Sequence, residues 1–205
     1  MVEFNKELKK CFFVDMEGVL IPEMWPYISK KTGIKELEVT TREHDCYEEL
    51  VENRIDILKI NNITVFDLNE IVLDLDLLPG ARDFIDTLSV KYEVVLVSDA
   101  FKPLINHFWQ MLGRPNLQCH QFLLDSNGTI TDALYSREGG KQSLLKKYQE
   151  NGYEVFAVGD AFNDLEMLKE AKKGFLYQSS EDTKASAKDV LIVDSFKEIL
   201  DEVAI

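Results

Sequence analysis

Three short apolar runs constrain the fold of this chain more than any other feature. CFFV (11–14), YEVVLV (92–97) and YEVFAV (153–158) are rich in Val and Phe, and each runs directly into polar residues: Asp15, then Ser98 and Asp99, then Gly159 and Asp160. Runs of this length and composition are strands buried on both faces, the kind that fill a parallel sheet. GFLY (174–177) and VLIV (190–193) read the same way. Helical patterns separate the later runs: ARDFIDTLSVK (81–91) after a Pro-Gly turn, KQSLLKKYQEN (141–151) after Gly-Gly, and NDLEMLKEAKK (163–173), with Asn163 as its expected N-cap. Alternating strands and helices predict an α/β fold, a Rossmann-like doubly wound parallel sheet covered by helices on both faces.

Residues 24–76 break this rhythm, because WPYISKKTGI, CYEELVENRIDILK and VFDLNEIVLDL are amphipathic helix patterns with no strand among them. The expected organisation is an α/β core from 1–20 and 78–205, with a helical cap inserted at 21–77 after the first strand. Within the core, QCHQFLLDSNGTITDALY (118–135) places two alternating runs around Asn127-Gly128, a strong hairpin signal.

The 205 residues, 45% of them hydrophobic, suffice for one domain with a sizeable insert. A formal net charge of −14 argues against nucleic acid or an anionic membrane as partner, since both require a basic face. No apolar run approaches the roughly 20 residues of a membrane helix, and MVEFNKELKK lacks the features of a signal peptide, so a cytoplasmic location is expected. The three cysteines, Cys11, Cys46 and Cys119, have no metal-ligand spacing and are expected to be buried apolar residues.

In an open parallel sheet ligands bind outside the carboxyl ends of the strands, so Asp15, Ser98, Asp99 and Asp160 should meet in one crevice. In regular strand geometry Asp15 and Glu17 would project to the same side and repel each other, which calls for positive charge nearby. Several carboxylates at one crevice suit Mg²⁺, a hard cation that takes a few protein oxygens and fills its other positions with water and phosphate oxygens. Asp15 could then attack phosphorus to give an aspartyl-phosphate, with Glu17 handling protons. Taken singly these residues have plainer readings: Asp15 and Asp160 as turn formers, Ser98 as a satisfied turn hydroxyl, Lys141 and Arg54 as solvated helix charges.

D-M-E-G-V (15–19), the Ser98 strand end, Lys141 at a helix start and G-D-A-F-N-D (159–164) occur in the order of the four motifs of the haloacid dehalogenase superfamily, and the chain resembles its phosphatase branch. D-M-E-G-V-L-I-P-E-M-W, K-T-G-I, T-T-R, Arg54 and S-D-A-F are most similar to phosphoserine phosphatases of the phosphoserine:homoserine phosphotransferase type. The resemblance implies Asp15 as nucleophile and Mg²⁺ held by Asp15, the backbone carbonyl of Glu17 and Asp160, with Asp164 supporting from behind. It implies that Ser98, Lys141 and Asn163 hold the phosphoryl oxygens, and that Glu23 and Arg54 in the cap take the ammonium and carboxylate of phosphoserine. Asp99 is placed beside them on the substrate side without a catalytic role, and His44, His107 and His120 receive none.

Most phosphatases of the superfamily carry Asp where this chain has Glu17, which leaves open whether water or homoserine is the preferred acceptor. A phosphatase of another small phosphomonoester, such as the enolase-phosphatase type with its D-x-E-G motif, is the alternative. A signalling receiver domain fits less well, because it lacks a helical insert after its first strand.

Overall fold

The structure, a computed structural model, describes residues 9–39 and 46–204. Seven strands form one sheet: β1 (Lys9–Val14), β2 (Glu93–Phe101), β3 (Asn116–Leu124), β4 (Ile130–Leu134), β5 (Tyr153–Gly159), β6 (Lys173–Tyr177) and β7 (Leu191–Val193). Their order is β4-β3-β2-β1-β5-β6-β7, with every neighbouring pair parallel except β3 and β4. The chain steps from β1 outward through β2 and β3, then returns to the other side of β1 for β5 and the strands beyond it. The direction of winding therefore reverses at β1, which puts a crevice at its carboxyl end.

Alternation along β1 explains the two-sided core. Phe12 and Val14 join one apolar cluster, Cys11 and Phe13 the other, and all four are fully buried. Phe12 stacks on Phe156 and Phe175 at centroid distances of 6.0 and 6.1 Å and meets Phe84 edge-on at 6.4 Å. Truncating such a ring to Ala costs about 3–5 kcal/mol.

Between β1 and β2 lie α1 (Met24–Thr32), a 3₁₀ turn (Lys35–Glu38), α2 (Tyr47–Ile60), α3 (Val65–Val72) and α4 (Ala81–Leu88). α1 to α3 occupy the stretch read as an insert, and α4 returns the chain to the sheet. The remaining helices are α5 (Lys102–Met111), α6 (Lys141–Glu150), α7 (Leu165–Glu170), α8 (Glu181–Ser186) and α9 (Phe196–Glu202). Among the described residues no helix is long and apolar enough to cross a membrane.

Several local expectations need correction. The first strand stops at Val14, so Asp15 and Glu17 do not share a regular strand: residues 16–21 form a tight turn in which the N–H groups of Leu20 and Ile21 bond the Met16 carbonyl. The hairpin exists, but its loop spans residues 125–129, organised by the Asp125 carboxylate, which accepts the N–H groups of Asn127 and Thr129. Asn163 does not cap a helix. It lies inside a 3₁₀ turn (Phe162–Asp164) that precedes α7, and Asp164 accepts the N–H groups of Asp160 and Ala161 instead. Cys11 and Cys119 are buried as expected, whereas Cys46 is only half-buried beside Glu48.

Candidate active site

Nine of the predicted residues line one cavity of about 90 Å³: Asp15, Glu17, Glu23, Arg54, Ser98, Asp99, Lys141, Asp160 and Asn163. Asp164 is completely buried just behind it. The cavity lies at the carboxyl ends of β1, β2 and β5, where the reversal of winding puts it.

Lys141, the first residue of α6, sits at the centre. It is 2% exposed, and its Nζ lies 2.8 Å from Asp15 Oδ1, 2.8 Å from Asp164 Oδ1 and 3.8 Å from Asp99 Oδ2. Burial pulls the ammonium toward neutrality, and Asp15, Asp164 and Asp99 together outweigh it and keep the lysine charged. Asp15 is pushed well above the usual carboxylate range by burial and by Asp164 and Asp160, with Lys141 acting in the opposite direction. One lysine is thus too little charge for these acids. Carboxylate oxygens of Asp15, Asp160 and Asp164 come within 4.8 Å of one another, so the three could hold a metal ion, and an all-oxygen donor set suits a hard cation.

Gly18 makes this approach possible. Its φ of +76° lies in the left-handed region, and a Cβ there would stand 2.2 Å from Asp160 Oδ2. The turn it allows carries Glu17 round to the start of α1, where its carboxylate accepts the Met24 N–H at 2.9 Å. Burial first, and then the neighbouring Glu23, push Glu17 up to about 7.

Ser98 and Asp99 reach the cavity through an irregularity in β2. Val97 pairs with Gln118 but Phe101 pairs with His120, so three residues of β2 oppose one of β3 and bulge out of register. Ser98 is 1% exposed, and its hydroxyl accepts the Ala100 N–H at 3.0 Å. Asn163 donates to Asp99 Oδ2 at 2.9 Å, which fixes its carboxamide toward the cavity and explains why it is not a cap.

Arg54 comes from α2. Its guanidinium stacks on Trp25 at 4.2 Å from the ring centre and donates to the Val39 carbonyl at 2.6 Å. Among the described residues its buried Nε has no hydrogen-bond partner. Burial lowers its pKa to about 10, leaving it charged at neutral pH.

Tyr47, Trp25 and Arg137 were not expected at the site. Tyr47, Val51, Arg54 and Leu58 form the i, i+4, i+7, i+11 stripe of α2, so the pattern that makes the helix amphipathic already put Tyr47 on the face of Arg54. The Tyr47 hydroxyl donates to the Asp99 carbonyl and ties α2 to β2. Nothing in the sequence pattern points to Arg137, in the loop before α6. A side chamber of about 600 Å³ adjoins the cavity across Asp99, and Tyr47, His120, Tyr135 and Arg137 are among its walls. His107 lines neither space, while His44 and the T-T-R segment lie outside the described residues.

Comparison with known proteins agrees with this geometry. The chain is 34% identical over 168 residues to the phosphoserine phosphatase ThrH of Pseudomonas aeruginosa, covering 82% of each protein. It is 31% identical over 189 residues to a phosphoserine phosphatase of Pseudomonas syringae pv. tomato, covering 92% of this chain and 80% of that one. A crystal structure of phosphoserine phosphatase from T. onnurineus in complex with NDSB-201 shares the fold, with a TM-score of 0.76 at 21% identity over 96% of this chain and 94% of its own. A phospho-aspartyl intermediate analogue of phosphoserine phosphatase does so equally, at 0.76 and 21% over 96% and 99%. Residues 9–172 match the haloacid dehalogenase-like hydrolases, and the chain belongs to that family.

Proposed function

We propose that this enzyme is a Mg²⁺-dependent phosphatase of O-phosphoserine that works through an aspartyl-phosphate on Asp15 and passes the phosphoryl group to water or to homoserine. The observation that carries the reading is a cavity with two chemically different ends. Asp15, Lys141 and the buried acids form one end, while Glu23 and an Arg54 whose buried Nε is unpartnered among the described residues belong to the other. Phosphoserine presents a phosphate to the first, and an ammonium and a carboxylate to the second. The names of the two Pseudomonas relatives support this substrate, and the phospho-aspartyl analogue of a protein with the same fold supports the intermediate.

Asp15, Asp160 and the Glu17 carbonyl would hold Mg²⁺, with Asp164 braced behind them by Lys141 and two backbone N–H groups. When bound, the cation would offset the charge of the carboxylates and of the phosphoryl oxygens. Asp15 attacks phosphorus while Ser98, Asn163 and Lys141 steady the oxygens, and Glu17 gives its proton to the departing serine oxygen. Glu17 then takes a proton from water or from the homoserine hydroxyl as that oxygen attacks phosphorus and frees Asp15. A carboxyl near pH 7 suits both roles. The helices of 21–77 act as a cap that excludes water from the reacting atoms.

The test is release of phosphate from phosphoserine, phosphothreonine, phosphoethanolamine and p-nitrophenyl phosphate, with Mg²⁺ or EDTA. Homoserine is added in parallel, and O-phosphohomoserine is followed by mass. The reading expects the highest kcat/KM on phosphoserine and no turnover in EDTA. Preference for an ester without an amino-acid portion would sink it.

A further inference from the structure

We infer that Arg137 is a positioning residue for the phosphoryl-binding end of the cavity, acting through Asp99. The inference rests on the proposal that Ser98, Lys141 and Asn163 receive the phosphoryl group. Arg137 is drawn from a loop, yet its side chain is only 5% exposed. Its Nη1 and Nη2 both donate to the Ser98 carbonyl at 3.2 Å, and Nη2 also donates to Asp99 Oδ1. The other Asp99 oxygen accepts from Asn163 at 2.9 Å and lies 3.8 Å from Lys141 Nζ. His120 closes the set. Its Nδ1 accepts the Ser136 N–H at 3.2 Å, so in the neutral ring the proton sits on Nε2, 3.7 Å from Asp99 Oδ1.

Asp99 is an anion among groups that have to receive an anion. It is useful there because it orients the Asn163 carboxamide, and it does harm if it turns onto Lys141 and competes with phosphate for the ammonium. Arg137 separates the two effects. One planar guanidinium bridges the Ser98 carbonyl and the Asp99 carboxylate, so the bulged segment of β2 and the carboxylate are held as a unit. A lysine is a point charge on a flexible stem and would not hold both acceptors in one plane. The side chamber beyond Arg137 gives an unanchored Asp99 room to move.

The experiment uses the full chain with Mg²⁺. It measures kcat and KM for p-nitrophenyl phosphate, and the inhibition constant of inorganic phosphate, in wild type, Arg137→Gln, Arg137→Lys and the double variant Arg137→Gln/Asp99→Asn. Arg137→Gln should raise KM and the phosphate inhibition constant about tenfold or more, with a smaller fall in kcat, and Arg137→Lys should recover only part of the loss. The double variant should recover most of it, because no carboxylate remains to be misplaced; a purely structural arginine would show no such coupling. Thermal melting identifies variants that do not fold. If Arg137→Gln is one of them, Arg137→Lys takes its place against the double variant, and a phosphate inhibition constant raised in Arg137→Lys and near the wild-type value in the double variant supports the inference. Unchanged constants in folded Arg137→Gln, or a folded double variant as weak as the single one, would overturn it. A wild-type protein that neither hydrolyses p-nitrophenyl phosphate nor binds phosphate would overturn the functional proposal itself, and this inference with it.

Discussion

Replacing Arg54 with Met keeps most of the side-chain volume and the packing on Trp25 while removing the charge that faces Glu17 and Glu23. The guanidinium is already committed on one side to the Val39 carbonyl and on its face to Trp25. Its buried Nε–H has no partner among the described residues, and the guanidinium carries further N–H groups beside it. A buried donor without an acceptor costs about 1–3 kcal/mol, and a substrate carboxylate that reaches it removes that cost and adds a charge-assisted bond. The loss on truncation should therefore be about 1.5–3 kcal/mol, or roughly 10- to 150-fold in kcat/KM for phosphoserine.

The control substrate is phosphoethanolamine, which keeps the phosphate and the ammonium and lacks only the carboxylate. Its kcat/KM should change little in Arg54→Met. Arg54→Lys should fall with Arg54→Met on phosphoserine, because an ammonium neither stacks flat on Trp25 nor presents a fork to the carboxylate. Losses of equal size on both substrates would refute the reasoning and assign Arg54 to packing of α2. Thermal melting supplies a second check, because Arg54→Met also removes the bond to Val39 and the charge facing Glu17 and Glu23, and a loss that comes from folding would show there.

Three further outcomes follow from the same geometry. Asp15→Asn should abolish steady-state turnover while leaving the protein at least as thermally stable as wild type, since it removes one of the mutually repelling buried acids and leaves Lys141 paired with Asp164; near-normal activity would exclude Asp15 as nucleophile. Gly18→Ala should sharply weaken the rise in melting temperature that Mg²⁺ gives wild type, because the added methyl displaces Asp160 and strains a positive φ; an unchanged Mg²⁺ response would contradict the placement of the metal. Glu17 has a folded pKa raised to about 7 from an ordinary value of 4.5, so the folded state holds the extra proton between those values and metal-free stability falls as pH rises through that window. Glu17→Gln should thus stabilise the metal-free protein by about 1–3 kcal/mol at pH 8 and by little at pH 4.5, and parallel stability curves for the two proteins would rule out the buried, raised carboxyl.

What the sequence shows about this molecule follows the range of the interactions concerned. The runs CFFV, YEVVLV and YEVFAV identify buried strands because burial on both faces is a property of the run itself, whereas Leu191 and Ile192 of VLIV are exposed. Asp15 and Asp160 are recognisable because each follows the end of such a strand, while Lys141 is picked out only by the order of the family motifs. The errors arise where a distant partner outweighs local preference. Asn163 has the composition of a cap, yet the Asp99 carboxylate, 64 residues away, claims its side chain. Glu17 would alternate with Asp15 in a continued strand, but the left-handed Gly18 turns the chain so that Asp160 can approach from another strand. Ser98 and Asp99 are visible as a polar strand end, while the bulge that aims them depends on register with β3, which no pattern within β2 encodes. Arg137 is the extreme case, because its side chain is placed by the Ser98 carbonyl and the Asp99 carboxylate, 39 and 38 residues earlier in the chain. Asp15 and Asp160 are placed by the strand ends of the sheet itself, whereas Arg137 is placed by the pairing of one strand end with one loop. Differences between relatives in substrate or acceptor should therefore be sought in loop residues such as Arg137 and in the α2 stripe of Tyr47 and Arg54 before they are sought among the strand-end acids.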